Sequence, residues 1–244
     1  ENQVLSHDLL EGAHGRVGYA SDVMLLEDFP ASLAEMVRRM HRWVRGDWQL
    51  LPWICGRYWH TIPVLARWKM LENLRRSLSA PAMFLMLVAS WLIPAMAPGP
   101  WIILVVVALL LPQMLPLVER LVPRANLDRS HWLRSLAADF VSGGTRAGVN
   151  LALLAHRAWL TGDAIVRTLA RLAKRRRLLE WNTSAQVQSA ARLSARSFVK
   201  SMLPSMVIVI AVAIAVFATQ PDRICMALPL AALWLLAPFI ARRI

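Results

Sequence analysis

Six of the eight carboxylates in the first 48 residues, Asp8, Glu11, Asp22, Glu27, Asp28 and Asp47, could do chemistry. The same stretch holds a dense basic and aromatic cluster: Arg38, Arg39, His41, Arg42, Trp43, Arg45 and Trp48. A carboxylate can take a proton from an attacking hydroxyl. Arginine forks phosphate oxygens with two parallel N–H groups. Tryptophan offers a flat apolar face on which a sugar ring can lie, much as it packs other flat or cationic groups. An acid-rich loop followed by an Arg/Trp cluster therefore suits a polyanionic donor and a sugar chain.

The elements that must hold these groups follow from local pattern. Ser6 can cap a short helix with Asp8 in its first turn. Gly12, Gly15 and Gly18 punctuate the next loop without the spacing of a dinucleotide fingerprint. Val23–Leu26 reads as a short buried strand, and Pro30 turns the chain by biasing Phe29 away from helix. Ser32 and Glu35 form an S-x-x-E capping box, which starts a helix near Ala31 or Ser32. Along it Met36, Val37, Met40, Trp43 and Val44 recur on one face, with Arg38, Arg42 and Arg45 on a line beside them.

Composition sets the class. Of 244 residues 57% are hydrophobic, and the net charge is +13. Mean hydropathy is +0.45, against an apolar content of about 45–50% in average soluble chains. The apolar excess lies in blocks, so the chain reads as a membrane protein. The basic residues, nearly all Arg, flank these blocks instead of forming one soluble patch, which disfavours nucleic acid as the partner. Cys55 and Cys225 fall in unrelated segments without C-x-x-C spacing and predict neither a disulfide framework nor a zinc site.

Residues 48–80 read as an interfacial amphipathic region, with Trp48, Trp53, Tyr58 and Trp59 at headgroup level and Arg67, Lys69, Arg75 and Arg76 as an anchor. Residues 81–118 predict a transmembrane hairpin, with spans at 81–97 and 101–118 around Pro98-Gly99-Pro100. About 18 helical residues cover about 27 Å, close to the hydrocarbon thickness. Gln113 is the strongly polar side chain in these spans, suited to an interhelical hydrogen bond or to a solute path. Residues 119–202 form a basic helical loop. One helix starts near Asp128, another covers about 147–181, and Ser142–Thr145 breaks the chain between them. Its Arg run suits anionic lipid headgroups, and His131, His156 and Asp163 read as structural. Residues 203–244 predict a second hairpin, with spans at 203–219 and 224–240. The segments before 81, between 119 and 202 and after 240 are basic, whereas the turns carry only Arg223. The basic segments are therefore expected on the cytoplasmic side, with both turns facing the periplasm.

Two motifs carry a resemblance. Ser6-His7-Asp8 and Arg39-x-x-Arg42-Trp43 resemble an acidic motif ending in Asp and the Q/R-x-x-R-W motif of processive membrane glycosyltransferases. The wider string VLSHDLLEG…SDV…EDFP…RRMHRWVRGDWQLLPW resembles the glycosyltransferase part of the bacterial cyclic β-1,2-glucan synthases. RWKMLENLRRSL and DAIVRTLARL…RRRLLEW resemble the same family less specifically.

The resemblance implies a mainly α chain. Residues 1–47 would be the C-terminal piece of a glycosyltransferase A-type α/β domain, followed by interfacial helices and four transmembrane helices. It implies inverting transfer of glucose from UDP-glucose to a growing β-1,2-glucan, with Asp8 as the catalytic base. His7, Glu11, Arg39, Arg42 and Trp43 would be substrate-binding. Arg39 stands where the commoner motif has Gln. Mg2+ or Mn2+ is implied, with its D-x-D ligands outside this chain, which contains no D-x-D. The chain thus reads as a fragment, not expected to act alone, of a multi-pass protein of the bacterial inner membrane with its catalytic segment cytoplasmic. The implied partners are UDP-glucose, the glucan acceptor, the bilayer, an upstream catalytic half and downstream carbohydrate-active domains. Two alternatives stand: another processive β-glucan synthase of the osmoregulated periplasmic type, and a non-catalytic membrane scaffold or transporter.

Overall fold

A computed structural model describes residues 4, 7–15, 17–18, 20–24, 33–118, 120, 129–175 and 195–243. All regular structure among them is helical: α1 (Asp8–Gly15), α2 (Leu33–Gln49), α3 (Leu51–Ile54), α4 (Val64–Leu92), α5 (Pro98–Val118), α6 (Arg129–Ala152), α7 (Leu154–Lys174), α8 (Ala195–Thr219), a 3₁₀ turn at Pro221–Arg223, α9 (Ile224–Leu235) and α10 (Ala237–Arg243). The mainly α reading holds. The A-type α/β piece does not appear among the described residues. Val23 and Met24 are irregular, while Leu25, Leu26 and the Ser32 capping position lie outside the described residues.

The chain divides into two compact units. The first comprises residues 1–81 and 157–200, the second residues 82–156 and 201–243.

In the first unit α2 buries Val44 against Ala164 and Ile165 of α7, with Met40 and Trp48 packed alongside. The predicted apolar row is thus a core face at Met40 and Val44, but Trp43 departs from it and is 51% exposed. Leu50, Ile62 and Met70 form a second buried cluster, on which Leu9, Leu10 and Ala13 of α1 pack. After α2 the chain makes only the single turn α3 and then folds back tightly. A Cβ on Gly56 would stand 2.7 Å from the Pro52 Cα, a spacing only glycine tolerates. Of the four aromatic residues singled out in 48–80, Trp59 is exposed while Trp48, Trp53 and Tyr58 are partly buried, and Val64, Leu65, Trp68, Leu71 and Leu78 of α4 are exposed as well.

In the second unit α5 packs on α6. The break expected at Ser142–Thr145 is absent, because α6 runs straight through it. Two glycines inside a helix cost about 1 kcal/mol each relative to Ala. Packing explains Gly143: it is buried, and a Cβ there would meet the Met114 Cε at 2.5 Å and the Gln113 carbonyl oxygen at 3.2 Å. Trp234 of α9 packs its ring against Phe84 and Trp91, with centroids 5.3 and 5.8 Å apart. Its Nε1–H donates to the Leu151 carbonyl at 2.9 Å.

Arg223 ends α4. Its Nη1 lies 2.8, 2.8 and 2.9 Å from the carbonyls of Ser90, Ile93 and Met96, and its Nη2 2.8 Å from that of Pro94. Pro94 stops the helix by disfavouring α geometry at Ile93. The Ser90 carbonyl, whose i+4 residue Pro94 has no N–H, then needs a donor, and the one cation on the two predicted turns supplies it.

Two helical stretches are long and apolar enough to cross a membrane, Pro98–Val118 and Val199–Thr219. A third is possible if Pro221–Leu235 and Ala237–Arg243, bent by 42°, form one span. Apolar side chains such as Ile103, Val107, Leu111, Ile214 and Phe217 stay exposed along them. Soluble proteins seldom leave so much apolar surface in contact with water, so the chain is a membrane protein. The four expected spans are therefore not all realised as separate apolar helices. The run at 81–97 is only the end of α4, whose first half carries Arg67, Lys69, Glu72, Arg75 and Arg76.

His156, at the head of α7 and 4% exposed, is held by burial at a pKa of about 4. The native state therefore keeps it neutral while the unfolded chain protonates near 6.5. The unfolded state binds more protons between those values, so stability is full above pH 6.5 and falls as pH drops toward 4. The loss over this window should approach about 3 kcal/mol. Thermal melts in detergent between pH 4 and 8 should show it, and His156→Phe should flatten the dependence. An unchanged slope in the variant would assign the loss elsewhere.

Candidate functional site

The first unit joins the two motif-bearing segments. His7 precedes α1, and its carbonyl accepts the N–H groups of Leu10 and Glu11, both at 2.9 Å. Glu11 Oε1 accepts the His7 backbone N–H at 3.3 Å, closing a reciprocal cap on the helix start. Asp8 and Glu11 occupy the first turn, where carboxylates suit the positive end of the helix dipole. The apolar side of α1 is pinned by Leu9, Leu10 and Ala13, and Asp8 is left exposed.

The His7 ring reaches across to α2. Nε2 lies 3.2 Å from Asp47 Oδ1. A carboxylate only accepts, so Nε2 carries the hydrogen and donates. The same Oδ1 accepts from Asn73 Nδ2 of α4 at 2.8 Å.

Further contacts fix α2. His41 Nε2–H donates to Asp163 Oδ2 of α7 at 3.0 Å, and Arg167 Nε donates to Asp163 Oδ1 at 2.7 Å. Burial is the largest influence on His41 and holds its pKa below the ordinary value. The Asp163 carboxylate pulls the other way, while Arg45 and Arg167 add to the lowering. Burial alone would raise the Asp163 carboxyl, but hydrogen bonds from Arg167 and His41 outweigh it and bring the pKa below the usual range. Trp48 Nε1–H donates to Ser77 Oγ of α4 at 2.9 Å.

With His41, Val44, Asp47 and Trp48 turned to their partners, the other side of α2 presents Arg39 and Trp43. The Arg39 guanidinium lies 4.7 Å from the Trp43 ring centre. Such a cation–π contact is worth about 0.5–1 kcal/mol at an exposed site. It holds the indole by one face and orients a half-exposed aromatic surface. Arg42 sits beside them, partly buried.

The structure thus brings His7, Asp8 and Glu11 together at the head of α1 and Arg39, Arg42 and Trp43 on α2. Asp47, Asn73, His41 and Asp163 complete the framework. Sequence reasoning counted Asp47 only as one acid among six and read Asp163 as structural. The RGDW string put Asp47 near the motif, but nothing in the sequence pairs residue 73 with 47 or 163 with 41. Glu27 and Asp28 lie outside the described residues. Among the described residues no three His, Cys, Asp or Glu side chains are placed to hold a metal ion.

No family model matches the chain. The chain is 37% identical over 249 residues, 99% of its length, to the cyclic beta-(1,2)-glucan synthase NdvB of Rhizobium meliloti (strain 1021), and it spans 9% of that protein. The similarity carried by SHD and RMHRW thus extends over nearly the whole chain, which is similar to one segment of that protein.

Proposed function

We propose that this chain is the part of an inverting membrane glucosyltransferase that holds the acceptor sugar and the catalytic base, transferring glucose from UDP-glucose to a growing β-1,2-glucan. The observation that carries the reading is the His7–Asp47 hydrogen bond. It joins the SHD segment to the helix bearing RMHRW, two motifs separated by thirty residues.

In the reaction an acceptor hydroxyl attacks the anomeric carbon as the bond to UDP breaks. Asp8 takes the hydroxyl proton. Next to it His7 orients the base, since its Nε2 is engaged by Asp47 and its Nδ1 is buried, and Glu11 serves the same edge while capping α1. Arg42 steadies the leaving diphosphate. Trp43, steadied by Arg39, stacks on the acceptor ring. A divalent cation would neutralise the diphosphate. The described residues do not form a site for it, and the steps assigned to this chain do not depend on it.

The charge bias supports a cytoplasmic position for the motif-bearing unit in a bacterial inner membrane, with the two turns periplasmic. Arg223 fits that bias despite its charge, since backbone carbonyls occupy its guanidinium.

The test is to supply membranes carrying the full-length protein with labelled UDP-glucose and, in parallel, labelled UDP-sugars differing at one ring position. Label from UDP-glucose alone, in a product whose linkages are 1,2, is the expected result. A glucan of another linkage would assign the chain to a different β-glucan synthase, and no label in polymer would remove the transferase reading.

A further inference from the structure

We propose that Asp47 is a positioning residue: it fixes the ring of His7 and, through His7, the place of the catalytic base Asp8. The inference rests on the reading of Asp8 as that base. Three observations carry it.

The first is hydrogen bonding. Asp47 Oδ1 accepts from His7 Nε2–H at 3.2 Å and from Asn73 Nδ2–H at 2.8 Å. Asn73 lies on the long helix α4 and donates to the same carboxylate oxygen as the ring. Both side chains are largely buried, with 13% of His7 and 16% of Asp47 exposed. A carboxylate restrained in this way imposes one tautomer on the imidazole. Nε2 bears the hydrogen, and Nδ1 becomes the acceptor. That Nδ1 is buried and has no hydrogen-bond partner among the described residues.

The second is space. A Cβ on Gly46 would stand 3.3 Å from the His7 Cδ2. The residue before Asp47 therefore lacks a side chain where the ring lies against α2, and the ring cannot settle as closely over any other residue type.

The third is the covalent link. His7 is the residue before Asp8, and its carbonyl and N–H together form the cap of α1. A shift of the His7 ring is passed directly to the first turn. Proton transfer to a positioned base is steep in distance, and a misplacement of about 1 Å can cost 10²-fold in rate.

Neither hydrogen bond needs the negative charge of Asp47, so an amide at this position should serve nearly as well. Asn keeps an acceptor oxygen for both donors, whereas Ala removes it.

The experiment measures steady-state glucan synthesis from UDP-glucose by the full-length protein in membranes, with protein level and melting temperature followed for each variant. Asp47→Ala should lower kcat by about 10²-fold with the KM for UDP-glucose moved less than about twofold, because the donor is not what Asp47 aligns. Asp47→Asn should stay within about threefold of wild type. In a His7→Ala background Asp47→Ala should cost nothing further, since the two act as one unit. If Asp47→Ala fails to accumulate, Asn73→Ala in the presence and absence of His7 carries the same test, with a loss of kcat that vanishes once His7 is gone.

Losses that multiply in the double variant would overturn the proposal, as would a wild-type rate for Asp47→Ala. Asp8→Asn is the control that separates the two ideas. Full activity there overturns the base assignment and this proposal together. An inactive Asp8→Asn beside a fully active Asp47→Ala overturns the positioning role alone.

Discussion

Replacing Asp8 by Asn is expected to lower glucosyl transfer by about 10²–10⁴-fold, the range a positioned general base contributes. At 1.36 kcal/mol per factor of ten this is about 3–5 kcal/mol in the barrier. The effect on folding should be far smaller. Asp8 is exposed in the first turn of α1, where a carboxylate adds about 0.3–1 kcal/mol through the helix dipole. Asn retains the shape and a hydrogen-bonding oxygen, and α1 remains pinned by Leu9, Leu10 and Ala13. Labelling of glucan by membranes carrying equal amounts of the two full-length proteins checks the result. Equal labelling would mean that SHD is a likeness without the chemistry, and a non-catalytic scaffold would then become the better account.

The largest effect on stability is expected at Arg223. Its guanidinium meets carbonyls of Ser90, Ile93, Pro94 and Met96. A hydrogen bond to a charged group is worth about 1.5–3 kcal/mol, but these losses do not add. Ser90 is fully buried, whereas Ile93 and Pro94 are exposed and can turn to water. Arg223→Ala should therefore cost about 2–4 kcal/mol in all, mostly from the carbonyl that water cannot reach. Arg223→Lys should recover only part, because an ammonium is a point donor and cannot fork across several acceptors. Thermal melts in detergent read the difference. A variant that melts with the wild type would show that solvent caps α4 equally well.

Much of this architecture is legible in the sequence, and its failures have definable causes. The capping box starts α2 near Ala31 or Ser32, a residue or two before the observed Leu33, and the apolar period around Met40 and Val44 finds its core face. It also places Trp43 in the core row, because periodicity counts indole as apolar and does not see Arg39 one turn back. The run at 81–97 looks like a span when hydropathy is read alone. In the structure α4 starts at Val64, and the apolar part joins a charged helix without a break. Gly143-Gly144 reads as a loop by propensity, but the close approach of α5 makes a missing side chain an advantage at Gly143. The motif residues were visible as types. Their supports, Asn73 for Asp47 and Asp163 for His41, were not, since a partner 26 or 122 residues away leaves no local signal.

The seating of α2 on α7 also has a consequence for biosynthesis. Val44 is covered by Ala164 and Ile165, and His41 is answered by Asp163. A ribosome delivers those partners only after Pro98–Val118, a stretch apolar enough to enter the bilayer, has been made. The nascent helix bearing RMHRW therefore waits, uncovered, through the emergence of that stretch. The packing of α2 is thus completed only after a membrane-capable stretch has left the ribosome, so folding of the motif-bearing unit follows synthesis of the segment that can enter the bilayer.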